Sequence, residues 1–283
     1  MGVAGGALGA KIYLSAISGG AINPFMGCFV PFIFTLIFGA FFGLIYSFFC
    51  VNLKSNQNVV GLVLSTFGVG LAILFIKLFQ SEDEYLKLAP YFSNLFFKPE
   101  TTLNGFEQLF LSYGFLVYLA IILSIVVAIV MRKTRIGMNL RAVGENPAAA
   151  DAAGLNVNKY RYISTIIGCA IAALSGLFYF MDKSGGVDAI KLIGEVEDFG
   201  WMAVALVIFS MWRPDLGVVG AILFSILYTV PSFFRAKFDP LNELIALLPY
   251  VVTVVVLIIT SIFFKRASQA PKSLGTNYFR EDR

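Results

Sequence analysis

The sequence predicts an all-α fold: a polytopic helical membrane protein with about eight transmembrane helices. Three observations predict it. The 283-residue chain is 58% hydrophobic and only 13% charged, with a mean hydropathy of +0.83, whereas soluble domains carry about 25% charged residues. Its apolar runs recur at lengths suited to a hydrocarbon core of about 30 Å, which takes about 20 helical residues to cross. Its basic residues gather in alternate connections between those runs, as the sidedness of membrane insertion requires. The segments left over are too short for a soluble domain, so residues 1–283 read as a single transmembrane domain.

In chain order the spans fall at about 2–18, 29–50, 59–80, 109–131, 162–181, 199–212, 216–231 and 243–264. The first is Gly/Ala-rich and holds Lys11; it has too much glycine and too little basic character at its start for a signal peptide. Gly2/Gly6 and Gly5/Gly9 there, and Gly39/Gly43 in the second span, form GxxxG pairs. Small residues let helix backbones approach closely in lipid, and packing within the chain is preferred to dimerisation. Lys77 near the outer end of the third span is placed to snorkel. The spans at 199–212 and 216–231 are short. They read as two half-buried helices or as one broken hairpin around Arg213-Pro214-Asp215, with Trp201 and Trp212 at the interfaces.

Sidedness follows from the loops. Lys54, the segment 132–161 (Arg132, Lys133, Arg135, Arg141, Lys159, Arg161), Arg213 and the tail at about 265–283 (Lys265, Arg266, Lys272, Arg280, Arg283) share one side. Their basic residues outnumber the acids there. The opposite loops hold Glu82-Asp83-Glu84, Glu195, Glu197 and Asp198, and acids dominate. Both termini and the 132–161 loop are therefore expected in the cytoplasm.

Several chemistries are excluded. Cys28, Cys50 and Cys169 stand singly in apolar runs, without CxxC or zinc spacing, and read as packing residues. The chain has no histidine, which removes His acid–base catalysis and His metal ligation. Acids lie in loops and not at mid-span, which counts against a proton-coupled secondary transporter or channel. A membrane-embedded enzyme would need convergent acids or thiols that the sequence does not cluster.

The segment from Met138 to Tyr162 is polar, basic and helix-forming between two apolar runs. Asn146-Pro147 reads as an N-cap followed by Pro at the first helical position. Ala148, Ala149, Ala150, Ala152 and Ala153 favour helix, and Gly154 is placed to end it in a left-handed conformation. Residues 147–153 therefore predict about two turns of helix. Arg141, Ala142 and Val143 form a preceding turn that Gly144 breaks. The alanine faces are small and flat, and suit the close approach of another protein surface.

This loop, GMNLRAVGENPAAADAAGLNVNKYRY, resembles the coupling loop of permease subunits of ATP-binding-cassette (ABC) importers, in the branch that includes ribose-type sugar and nucleoside permeases. Phe199-Gly200-Trp201-Met202-Ala203-Val204-Ala205-Leu206, followed by Trp212-Arg213-Pro214 and Leu216-Gly217, is similar to the same branch. So is Asn56-Gln57-Asn58-Val59-Val60-Gly61. Leu248-Pro249-Tyr250-Val251-Val252-Thr253, with Ala270-Pro271, Leu274-Gly275 and Tyr278, resembles the nucleoside members in particular. The likeness covers about residues 20–283. At the start the family pattern is reduced to Met1-Gly2-Val3-Ala4-Gly5, with alanine where an acid is expected, whereas family members usually carry a longer N-terminal region.

The resemblance implies a permease subunit that forms the translocation path for nucleosides, or alternatively a ribose-like sugar, in a bacterial plasma (inner) membrane. It implies Arg141, Gly144, Glu145, Asn146, Pro147, Ala148, Ala149, Ala150, Ala153 and Gly154 as the contact for a cytoplasmic ATPase. The sequence has no GxxxxGK[ST] loop, so the chain is expected to be no enzyme and to bind no cofactor; ATP and Mg would belong to the ATPase. The further partners implied are a second homologous permease, in a heterodimer in preference to a homodimer, and an extracellular substrate-binding protein; no nucleic acid is implied. Polar residues within spans or near their ends are the candidates for the substrate path: Asn23, Asn58, Ser65, Thr66 and Thr253.

Overall fold

The computed structural model describes residues 1–17, 21–79, 82–93, 112–185, 189–234 and 270–279, with single positions at 247, 251, 254, 255 and 258. Among them the regular structure is entirely helical. The last expected span, 243–264, therefore lies almost wholly outside the described residues, and Thr253 with it. Helices long and apolar enough to cross a membrane run over Pro24–Asn52, Gln57–Phe79, Phe115–Lys133 and Val157–Lys183, with shorter apolar helices at Gly2–Ile17 and Pro214–Thr229.

The chain divides into two compact units, Met1–Leu119 with Asn146–Glu197 and Gly275–Arg283, and Ala120–Glu145 with Asp198–Leu274. The first unit is built on α1 (Gly2–Ile17), α2 (Pro24–Ser47, continued by a π-helical turn over Phe48–Asn52), α3 (Gln57–Phe79) and α4 (Glu82–Ser93). To these it adds the start of α5 (Phe115–Lys133) and, later in the chain, α8 (Val157–Leu177, continued by a π-helical turn over Phe178–Lys183).

The expected small-residue packing is present, and it is internal. A Cβ on Gly39 would stand 2.6 Å from the Cβ of Ala173 and 2.8 Å from the carbonyl oxygen of Cys169, and one on Gly43 would stand 2.8 Å from the Cβ of Cys169. These glycines therefore seat α2 directly on the backbone of α8. On α1, a Cβ on Gly9 would meet the Cα of Pro31 at 2.7 Å, and one on Gly5 the Cα of Thr35 at 2.9 Å. With no gain in lipid from burying apolar surface, van der Waals contact of this closeness is what holds membrane helices together. The Thr35 hydroxyl is satisfied within α2, donating to the Pro31 carbonyl at 2.7 Å.

Two expectations are corrected. The acidic stretch at 82–84 opens a helix where a loop was expected. Tyr85, Leu88, Ala89 and Phe92 recur at helical spacing and are buried, with Tyr85 edge-on to Phe180 at 5.2 Å between ring centroids; burial of that face outweighs the charged start. The span expected at 199–212 is the C-terminal part of α9 (Ala189–Phe209), which begins at position 189 because Ile193 and Val196 pack into the first unit's core. The two short spans are thus two helices. In the second unit the Asp198–Phe209 part of α9 leads to α10 (Pro214–Phe234) through a turn in which Met211 and Trp212 adopt φ of 54° and 55°.

Within that second unit, Asp215 at the start of α10 accepts from Arg132 of α5 at 2.5 Å and from Arg213 at 3.2 Å. The residues that the charge pattern assigned to one side therefore meet there.

Candidate functional site

The polar segment between the apolar runs folds as two short helices. α6 (Arg135–Glu145) belongs to the second unit and α7 (Pro147–Ala152) to the first. α6 is longer than expected and runs through Gly144. Both of its ends have partners. At its start the Gly137 amide donates to the Thr134 hydroxyl at 3.2 Å. At its end the Ser273 amide and hydroxyl both donate to the Gly144 carbonyl, at 3.0 and 2.6 Å. A helix terminus leaves its last carbonyls without intrahelical partners, and a distant piece of chain supplies one here, so Gly144 does not break the helix. Val143 is buried, whereas Arg141 and Glu145 are exposed.

α7 forms by the local logic its sequence announces. Asn146 is extended and its side chain accepts from the Ala149 amide at 3.0 Å; Pro147 follows at the first helical position, where its missing N–H costs nothing. The helix closes with the Ala153 amide donating to the Ala149 carbonyl and the Leu155 amide to the Ala150 carbonyl, both at 3.0 Å. Gly154 takes φ of +85°, a conformation that an L side chain resists. Asn156 then caps α8, accepting from the Lys159 amide at 3.0 Å. α8 therefore starts at Val157, and Lys159 and Arg161, expected in the loop, lie in its opening turns.

The alanines of α7 are not equivalent. Ala150 is 3% exposed and faces inward, so it supports the helix and presents nothing outward. Ala149, Ala152 and Ala153 are exposed, and Ala148 is half-buried. The flat surface expected from the composition is thus the 149/152/153 side.

The C-terminal segment, quoted above only as a pattern, lies against this region. In the first unit the Arg161 guanidinium donates to the Thr276 carbonyl at 3.1 Å and Gln57 donates to it at 3.4 Å. The Asn277 amide group donates to the carbonyls of Lys54 and Ser55. The Lys54 ammonium stands 4.0 Å from the centroid of the Phe279 ring, and the Tyr278 hydroxyl donates to the Asp151 carboxylate at 2.8 Å. Lys54, Asp151, Arg161 and the tail therefore share one end of the unit, as their charges implied.

Most of the substrate-path candidates have structural roles. Asn23 caps α2, accepting from the Phe25 amide at 3.1 Å, and its backbone is bracketed by the Tyr13 hydroxyl. Asn58 is exposed in the first turn of α3, where Asn56 supplies the cap by accepting from the Asn58 amide at 3.0 Å. Ser65 and Thr66 donate to the Leu62 carbonyl of their own helix, at 2.9 and 3.0 Å. Ser65 lines a cavity of about 190 Å³, together with Gly68, Ala72, Ile193 and Glu197.

A family model described as the branched-chain amino acid transport system / permease component matches residues 2–260. The chain is 28% identical over 278 residues to the nucleoside ABC transporter permease protein NupC of Lactococcus lactis, covering 92% of this chain and 80% of that one. It is 28% identical over 253 residues to the guanosine ABC transporter permease protein NupQ of Bacillus subtilis, covering 87% and 76%. It is 32% identical over 196 residues to the putative glucose ABC transporter permease protein TsgC13 of Haloferax volcanii, covering 65% and 54%. No solved structure matches the chain.

Proposed function

The chain belongs to the family of permease components of branched-chain amino acid transport systems, and from that premise we propose that it carries nucleosides across a bacterial plasma membrane as the transmembrane subunit of an ABC importer. The observation that carries the substrate class is the pair of nucleoside-named relatives, each aligned over more than four-fifths of this chain. Simple sugars are the alternative, on the likeness to a putative glucose permease.

In this reading ATP and Mg are bound by a separate cytoplasmic ATPase, which grips α7. The exposed Ala149, Ala152 and Ala153 let the ATPase surface come within backbone distance, and Arg141 and Glu145 supply charges able to make hydrogen-bonded ion pairs. Closure of the ATPase on ATP displaces the gripped helix. The permease then shifts between outward-open and inward-open states, because the gripped loop has different contacts in the two. The likeness to two nucleoside ABC transporter permease proteins of Lactococcus lactis, NupC and also NupB (28% identical over 209 residues, covering 69% of this chain and 53% of that one), supports a second, homologous permease as partner. A substrate-binding protein delivers nucleoside to the acidic face opposite. The basic loops set the 132–161 segment and both termini in the cytoplasm.

The test is capture of the ATPase and uptake of radiolabelled guanosine, with Ala149→Asp/Ala153→Asp beside the unaltered chain. The double variant is expected to insert normally and to lose both activities. Uptake that persists with no ATPase bound would overturn the importer reading.

A further inference from the structure

α7 is too short to hold itself in place. Six residues make fewer than two turns, far below the length at which an isolated helix is stable in water. A helix gripped to transmit displacement must nevertheless be tied to the membrane spans, or it yields without moving them. Its own sequence adds a second difficulty. Asp151 lies in its last turn, where the helix dipole disfavours a negative charge.

Both points are answered by one residue. The Tyr278 hydroxyl donates to Asp151 Oδ2 at 2.8 Å, across 127 positions of sequence. The stretch that carries Tyr278 is itself anchored to the spans: Thr276 to Arg161 of α8 and Gln57 of α3, and Asn277 to the carbonyls of Lys54 and Ser55 in the link between α2 and α3. Gly275 turns the chain into this path with φ of +76°. Tyr278, Asp151, Lys54 and Asn156 border a cleft of about 430 Å³ beside the helix, whose inner face packs at Ala150 alone among its fully buried residues.

We propose that Tyr278 is the positioning residue of α7: residues 275–279 form a strap that holds the helix at Asp151 and carries its displacement to the ends of α2, α3 and α8. This rests on the role proposed above for α7. A hydrogen bond to a charged group is stronger than a neutral one, and its loss leaves α7 to slide against the strap.

The test uses the assembled complex, with its ATPase and second permease, in proteoliposomes supplied with ATP and radiolabelled guanosine. Tyr278→Phe, Asp151→Ala and the double variant are each compared with the unaltered chain. The expected result is unchanged ATPase capture and a fall of about tenfold in guanosine carried per ATP hydrolysed. The double variant should be no worse than either single one, because the two groups act as a pair. In the purified chain in nanodiscs, Tyr278→Phe should also speed amide exchange over 147–155 by about tenfold while exchange in α2 is unchanged. An unaltered transport-to-ATP ratio, losses that multiply in the double variant, or a loss of capture in parallel with the loss of uptake overturns the strap. Ala149→Asp/Ala153→Asp separates the two failures. If it abolishes capture while Tyr278→Phe changes nothing, the strap alone is wrong; if it leaves capture and uptake intact, the coupling role and the strap fall together.

Discussion

Glycines on α2 lie covered by α8, whereas alanines on α7 lie uncovered. Both regions are rich in small residues and both belong to the first unit, yet they use smallness in opposite ways. Gly39 and Gly43 draw two helices so close that any added atom meets a neighbouring side chain or backbone atom within 3 Å. Ala149, Ala152 and Ala153 keep the same low profile toward nothing described in this chain. A small residue in a membrane helix is thus a statement about how near a neighbour comes. Whether the neighbour is the same chain must be read from the polar residues around it. Around Gly39 and Gly43 the buried polar groups, Thr35 and Ser47, bond back to carbonyls of α2 itself; α7 follows Arg141, Glu145 and Asn146 and carries Asp151.

The largest effect expected is at the covered seam. Gly39→Leu inserts four carbons where the first is already 2.6 Å from Ala173, and overpacking of this kind costs about 3 kcal/mol or more. The yield of monodisperse protein in detergent should collapse; normal yield and melting would mean that α2 and α8 are not so closely seated. Next comes the contrast inside α7. Ala150→Arg places a charge at a buried position and should cost about 2 kcal/mol or more. Ala149→Arg should leave melting unchanged within about 0.5 kcal/mol and reduce ATPase capture at least tenfold. Equal melting points for the two variants would erase the distinction between inner and outer alanines. Asn146→Ala removes the cap and should cost about 1 kcal/mol, seen as faster amide exchange at Ala149 with the spans unaffected. The smallest change in stability is expected from Ser65→Ala, within about 0.5 kcal/mol. If its cavity lies on the substrate path, this variant raises the KM for guanosine while Thr66→Ala does not; identical KM values for the two remove Ser65 from the path.

The long spans were legible because hydropathy alone identifies them, and the caps of α7 because Asn146, Pro147 and Gly154 act through neighbours a few residues away. α4 was hidden by its acidic first turn, although the spacing of Tyr85, Leu88 and Phe92 announced it. α6 was hidden by Gly137 and Gly144, whose cost in a helix is real but is offset by Thr134 at one end and Ser273 at the other. Ser273 stands 129 positions from Gly144, and Asn277 stands 223 from Lys54. No local rule reaches such pairs. The tail could be noticed as a pattern, but its partners could not be named. Ala150 was misjudged for a related reason: which side of a short alanine helix faces inward depends on what lies beneath it.

The π-helical turn that prolongs α2 has a consequence for the lipid. With it, the span Pro24–Asn52 counts 29 residues, a rise of about 43 Å, whereas Phe115–Lys133 counts 19, about 28 Å. A hydrocarbon core of about 30 Å suits the shorter span as it stands and obliges the longer one to tilt or to thicken the bilayer around it. The acyl chain length of the surrounding lipid is therefore a mechanical load on this protein. Vesicles of thin and of thick bilayers should set different resting inclinations of α2, and with them different rates of transport at the same ATP.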